Sequence, residues 1–162
     1  MHSVAEKRKQ RIIKNMETIN ISKGDFLIST DKSKLDLKVI HDFIANKSYW
    51  GRNIPYETVK TSVENSLNFG LYYKNQQIGN TRIISDFSTI AYLGDVFVLE
   101  EFRGQGLSKW LIETVVSHPN LQGLRRWILL TSDAHELYKK YGWKIVEKPE
   151  NWLERHNPNV YK

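Results

Sequence analysis

Apolar and polar residues recur along this chain with two periods, and each change of period marks an element. The run Asp25-Phe26-Leu27-Ile28-Ser29-Thr30 reads as a first strand after Lys23-Gly24. Ser33 is the expected N-cap of a helix in which Leu37, Ile40, Phe43 and Ile44 recur at helical spacing, ending near Asn46. Ser48 to Pro55 is aromatic and basic with Gly and Pro punctuation, so a loop is expected, and residues 56 to 66 follow as a second helix. Leu67 to Lys74, Gln77 to Ser85 and Ile90 to Leu99 read as three strands. Their short connections, Asn75-Gln76 and Asp86-Phe87-Ser88, favour an antiparallel meander.

Gly104 to Ser117 then has a helical pattern, with Leu107, Leu111, Ile112, Val115 and Val116 on one side. Arg126 to Leu130 reads as a short strand buried on both faces, and Asp133 to Tyr141 as a helix stopped by Gly142 at the left-handed C′ position. Trp143 to Val146 is the expected closing strand. The order predicts one α/β (α+β) domain, a mixed and mostly antiparallel central sheet flanked by helices on both faces, and excludes a doubly wound nucleotide fold.

The length of 162 residues suits one domain, and 40% hydrophobic with 26% charged residues is globular composition. The absence of cysteine excludes disulfides, thiolate metal sites and an acyl-cysteine intermediate, and no metal is expected. No apolar run approaches the ~20 residues of a membrane span, and the N-terminus lacks a secretory apolar core, so the expected location is cytoplasmic. The formal charge of +6 is unevenly spread. Lys7, Arg8, Lys9, Arg11, Lys14 and Lys23 against Glu6 and Glu17 leave +4 on residues 1–24 and +2 on the rest. Residues 1–24 are therefore expected to be a basic extension, helical by the stripe Val4, Ile12, Ile13, Met16 and Ile19, ahead of a body at residues 25–162. The extension could touch an anionic surface, but its solvated basic face alone does not argue for nucleic acid.

The candidate chemistry sits where strand Val96-Phe97-Val98 runs through Leu99-Glu100-Glu101-Phe102-Arg103-Gly104-Gln105-Gly106-Leu107-Ser108 into a helix. Unpaired N–H groups at a helix start, at the positive end of its dipole, make an anion cradle; Gly104 and Gly106 permit close approach, and Arg103 adds charge. Neither the P-loop spacing nor the three-glycine dinucleotide fingerprint is present.

Val98, Arg103, Gly104, Gly106 and Ser108 fall as in the acetyl-CoA-binding signature of the GNAT N-acetyltransferase superfamily, which this stretch resembles. A second block, Ala134-His135-Glu136-Leu137-Tyr138-Lys139-Lys140-Tyr141-Gly142-Trp143, is similar to that superfamily's Ala-x-x-x-Tyr-x-x-x-Gly-Phe element. The resemblance covers residues 25 to 147 and implies transfer of an acetyl group from acetyl-CoA to a primary amine of a small molecule or peptide, in a ternary complex. It implies pyrophosphate contacts from the amides of Arg103, Gly104, Gln105, Gly106, Leu107 and Ser108, and a pantetheine arm beside Phe97 and Val98. One strand amide there would polarise the thioester carbonyl. The acyl slot would open where this strand splays from the one after the helix.

By the same resemblance Tyr138 protonates the departing thiolate, and Asp133 stands where many members carry a cofactor-side asparagine, or else caps its helix. The glutamate of some members falls near Tyr92, so the base stays open between Asp95, which could equally be a buried acceptor, and Asp86, which could equally be a turn residue. Tyr49, Trp50, Arg52 and Tyr56 cluster on the expected substrate side, where they could frame a cationic amine, hold a carboxylate or plug the sheet. Arg155, His156 and Trp152 are weaker candidates for its rim. A monomer or homodimer is expected. The competing class is a non-catalytic CoA-binding sensor or adaptor with an anion-contacting leader.

Overall fold

The computed structural model describes residues 16–162, and its first element departs from the expected leader. Asn20–Lys23 (β1) and Phe26–Ser29 (β2) form a hairpin, with Asn20 opposite Ser29 and Lys23 opposite Phe26. Thr30 N–H donates to Ile19 O at 3.0 Å, and Ile19 N–H donates to Thr30 Oγ1 at 2.9 Å, closing its open end. Residues 20–23, expected in a helical leader, therefore begin the sheet; Ile19 and Ile21 are spaced by two, which is the strand period. Residues 1–15 of that leader lie outside the described residues.

The first helix also starts later than expected. Ser33 belongs to a single 3₁₀ turn, Lys32–Lys34, capped by Asp31. Helix α1, Leu37–Asp42, is capped by Asp36, whose Oδ1 accepts from Lys38 and Val39 N–H at 2.9 and 3.2 Å. A carboxylate answers two orphan donors and the helix dipole, which a serine three residues upstream cannot do, and such a cap stabilises by about 1 kcal/mol. Beyond Asp42 the helix widens into one π-helical turn, Phe43–Lys47, with Ser48 N–H donating to Phe43 O at 2.9 Å. Helix α2 spans Tyr56–Glu64.

Strands β3 (Leu67–Tyr73), β4 (Gln76–Ser85) and β5 (Ile90–Val98) make the expected antiparallel meander. Helix α3 (Leu107–Val116) carries the chain back to β6 (Arg126–Leu129), which lies parallel to β5, and helix α4 spans His135–Lys139. The sheet order is β1-β2-β3-β4-β5-β6. Strand β6 was expected to be buried on both faces; it is instead an edge strand, exposed or half-buried throughout, because the closing strand at Trp143–Val146 does not form. Trp143 packs edge-on against Trp127 and Tyr138, with centroids at 5.7 and 5.9 Å, and its N–H donates to Tyr138 O at 3.3 Å, which anchors the chain without strand pairing. Ile145 is left 74% exposed. Asp133 does not cap α4 either: Ala134 occupies the N-cap position.

Strand alternation assigns the two apolar layers. Phe97 packs with Ile40, Phe43, Ile44, Val59 and Val63 of the α1–α2 layer, and its ring stacks on Phe43 at 4.1 Å. The next residue, Val98, joins Phe69, Leu71, Ile83 and the α3 residues Leu107, Leu111, Ile112 and Val115. Successive side chains point to opposite faces, so helices cover both sides of the sheet. Truncating a fully buried residue such as Leu111 to Ala would cost ~2–5 kcal/mol.

His118, just beyond α3, is 2% exposed, lies edge-on to Phe69, and uses Nδ1 to accept from Asn120 N–H at 3.2 Å. Burial pushes its pKa below the ordinary histidine value. The unfolded chain takes up a proton near pH ~6.5, whereas the native ring stays neutral to lower pH. The unfolded state then binds more protons, and stability falls as pH drops from that value toward the depressed native pKa. His118→Gln should flatten this part of the curve in urea titrations run from about pH 7.5 to about pH 5; an unchanged slope would exclude His118 as its source.

Candidate functional site

The site begins with an irregularity in β5. Arg82 of β4 faces Gly94, while Asn80 faces Phe97, so one extra residue is accommodated at Asp95-Val96. Asp95 takes φ +51°, left-handed for a residue with a Cβ. Such a conformation costs ~1–2 kcal/mol and persists only where neighbours impose it. Here they do: Arg82 Nε donates to Asp95 Oδ2 at 2.6 Å, and Trp50 Nε1 donates to Asp95 Oδ1 at 3.0 Å. The ion pair is little exposed, and Arg82 also reaches Ser66 Oγ at 3.2 Å.

The bulge turns β5 away from β6. Their parallel pairing ends at Leu93 with Leu129, so Gly94–Val98 have a free edge facing the gap. Leu99 N–H donates to Ile78 O across β4 at 2.7 Å. By strand alternation the Val98 N–H points the other way, into the opening. Val98 O, on the same edge, accepts from Arg103 Nε at 3.0 Å, so that side chain is spent partly on the strand end.

After one 3₁₀ turn at Glu100–Phe102 the glycine loop enters α3. Arg103 N–H is satisfied by Glu100 O, but the N–H groups of Gly104, Gln105, Gly106, Leu107, Ser108 and Lys109 reach no acceptor among the described residues. Gly104 and Gly106 hold φ +79° and +77°, and a Cβ on either would project into open space. Gln105 Nε2 ties back to Phe102 O at 3.2 Å, and buried Leu107 fixes the helix start to the core. The result is a rigid, outward-facing row of donors at a helix N-terminus, which fits a pyrophosphate.

Next to the splay lies a cleft of about 1160 Å³. It collects Tyr49, Trp50 and Arg52 from the α1–α2 connection, Asp95 and Arg82 from the bulge, and Asp133 and Tyr138 from the far wall. Tyr138 is 7% exposed, and its hydroxyl has no hydrogen-bond partner among the described residues; burial, with smaller effects of Tyr49 and Asp133, pushes its pKa up to about 12. Tyr49 Oη accepts from Ser132 N–H at 3.0 Å, a strap between residues 83 apart in sequence.

Asp86 is not brought here. Its Oδ1 accepts from the N–H groups of Ser88, Thr89 and Ile90, and its Oδ2 from the Thr89 hydroxyl; these bonds hold the carboxyl well below the usual range and consume it in the β4–β5 turn. Arg155 and His156 of the C-terminal segment line the cleft, whereas Trp152 stacks beside Arg126. Sequence reading missed Arg82, Tyr92 and Ser132 as cleft residues. A lone arginine inside the apolar strand Ile78–Ile84 was the signal for the first. Among the described residues no cluster of His, Asp and Glu could hold a metal, and no helix is long and apolar enough to cross a membrane.

Residues 64–145 match the family profile of the acetyltransferase (GNAT) domain. A candidate acetyltransferase of Gibberella zeae is 31% identical over 143 residues, covering 75% of this chain and 80% of that one. The crystal structure of a candidate GNAT-family acetyltransferase from Xanthomonas campestris pv. campestris superposes with a TM-score of 0.82 at 46% identity, covering 84% of this chain and 96% of that one. A GNAT-family acetyltransferase from Elizabethkingia anophelis, crystallised with acetyl-CoA, shares the fold with a TM-score of 0.58 at 18% identity over 85% and 91% of the two chains.

The pair at the bulge is testable without any ligand. Arg82→Met leaves Asp95 nearly buried with Trp50 alone and should destabilise by about 3 kcal/mol in urea unfolding. Arg82→Met with Asp95→Asn should recover part of that loss. A single-mutant effect below about 0.5 kcal/mol would mean that the pair behaves as a solvated surface one.

Proposed function

This chain belongs to the GNAT acetyltransferase family, and on that premise we propose that it transfers an acetyl group from acetyl-CoA to a primary amine, by direct attack with both substrates bound. The observation that carries the reading is the run of unsatisfied N–H groups from Gly104 to Lys109, placed at the end of a strand whose free edge opens into a cleft. Those amides hold the pyrophosphate, with help from the helix dipole. Phe97 and Val98 offer the strand edge beside which the pantetheine arm lies. Bound acetyl-CoA supplies the activated thioester.

Val98 N–H, directed into the splay, donates to the carbonyl oxygen as it gains charge, an interaction that strengthens toward the transition state. The amine nitrogen forms the new bond to the acyl carbon, the carbon–sulfur bond breaks, and the electron pair leaves on sulfur. Tyr138 meets that sulfur. A phenol at about 12 is a weaker acid than a thiol at ~8.5, so it keeps its proton and donates a hydrogen bond to the developing thiolate, which is neutralised by the second proton that the nitrogen releases as the amide forms. Asp95 has each oxygen committed to a donor, Arg82 and Trp50. Its part is therefore to hold the bulge and the aromatic loop, and the ammonium proton passes to solvent in the cleft.

Three measurements test this. CoA should raise the melting temperature of the protein, and Gly106→Ala, strained by about 1–2 kcal/mol at φ +77°, should weaken CoA binding roughly tenfold; no shift near millimolar CoA would end the phosphate-cradle reading. Tyr138→Phe should lower kcat by about 10²-fold with little change in KM in a free-thiol release assay. In the unsubstituted enzyme the alkaline limb of the rate profile should show no loss assignable to Tyr138 until the pH nears about 12. A thermal shift without thiol release on any amine would instead support a CoA-binding sensor.

A further inference from the structure

The cleft is lined by groups of both charges. Of its three carboxylates, Asp95 is neutralised by Arg82 at 2.6 Å, leaving Asp133 and Glu154. Asp133 lies close enough to Tyr138 for its charge to act on the phenol, which puts a carboxylate at the transfer end. Glu154 acts in the same way on Tyr92. The cleft is also lined by Arg52, from the α1–α2 connection, and by Arg155, His156 and Lys162 of the C-terminal segment, and neither arginine makes an ion pair among the described residues.

Arg52 is exposed, but its backbone is fixed on both sides. Trp50 is tied to Asp95, Tyr49 to Ser132 N–H, Asn53 N–H to Ala45 O at 3.0 Å and Ile54 N–H to Gly51 O at 3.1 Å. Gly51 is wedged so tightly that a Cβ would come within 2.4 Å of Ile44 Cγ2. A turn so constrained fixes where the arginine is anchored, and the guanidinium presents a planar fork that matches a carboxylate. A second amine on the acceptor would meet like charge at the same place.

We propose that the acceptor is a small amino acid, its amine at the Tyr138 and Asp133 end and its carboxylate on Arg52 and Arg155. This rests on the transferase reading and narrows it, because simple amines, polyamines and amides would leave the two guanidinium groups unanswered.

The test is steady-state thiol release with the free amino acids against their decarboxylated amines, their amides and phosphoethanolamine. The best amino acid should exceed its decarboxylated counterpart by about 100-fold in kcat/KM, and Arg52→Ala or Arg155→Ala should shrink that ratio to within about threefold. The idea is overturned if the decarboxylated amine or phosphoethanolamine is preferred, or if the arginine variants lower all acceptors equally. Binding gives a readout independent of turnover. With CoA present, N-acetylated amino acids should raise the melting temperature more than N-acetylated amines do, and Arg52→Ala should abolish the difference. If CoA binds and this difference appears while no amine is acetylated, the transferase reading fails and the carboxylate site stands; equal shifts for both ligand classes overturn the carboxylate site.

Discussion

Asp95 is where this fold is decided. A residue with a Cβ at φ +51° in the middle of a strand is unfavourable by itself, and it is kept there by one guanidinium from the neighbouring strand and one indole from a loop 45 residues upstream. Three consequences follow. The extra residue breaks the parallel pairing with β6 after Leu93 and opens the cleft; it frees the edge at Val98; and it draws Trp50, with Tyr49 beside it, over the opening. A regular strand in the same place would have left no free edge between Gly94 and Val98 for the glycine loop to adjoin.

The second constraint is that Phe97 and Val98 are adjacent and face opposite layers. One stacks on Phe43 and the other packs against α3, so the short stretch of strand that borders the opening is clamped from both sides. The residue that aims an N–H into the gap cannot shift without disturbing two apolar clusters. Rigidity of this kind is what lets a backbone amide act on a developing charge without reorganising first.

Much of this was legible in the sequence, and the division is physical. The meander, α3 and the glycine loop could be read because their periods and turn residues are local. Tyr49, Trp50, Arg52, Asp95, Asp133 and Tyr138 were named from residue type and motif position, and the fold gathers them in one cleft. The hairpin at Asn20–Lys23 was hidden by a basic stretch with a patchy helical stripe. The cap at Asp36 was missed because Ser33 offered an equally good signal three residues earlier. The closing strand failed because Trp143 found aromatic partners in Trp127 and Tyr138, contacts that no window around Trp143 contains. The bulge was invisible for the same reason: its cause lies 13 and 45 residues away.

The π-helical turn at Phe43–Lys47 has an evolutionary consequence. It holds one residue more than a regular turn, and an α-helix advances about 100° per residue. Gain or loss of a single codon there would rotate the following loop by roughly that angle and carry Trp50 away from Asp95. The glycine loop, more than fifty positions downstream, would keep its own local geometry. A lineage carrying this fold therefore cannot change the length of this turn without rebuilding the support of a strand about fifty positions away.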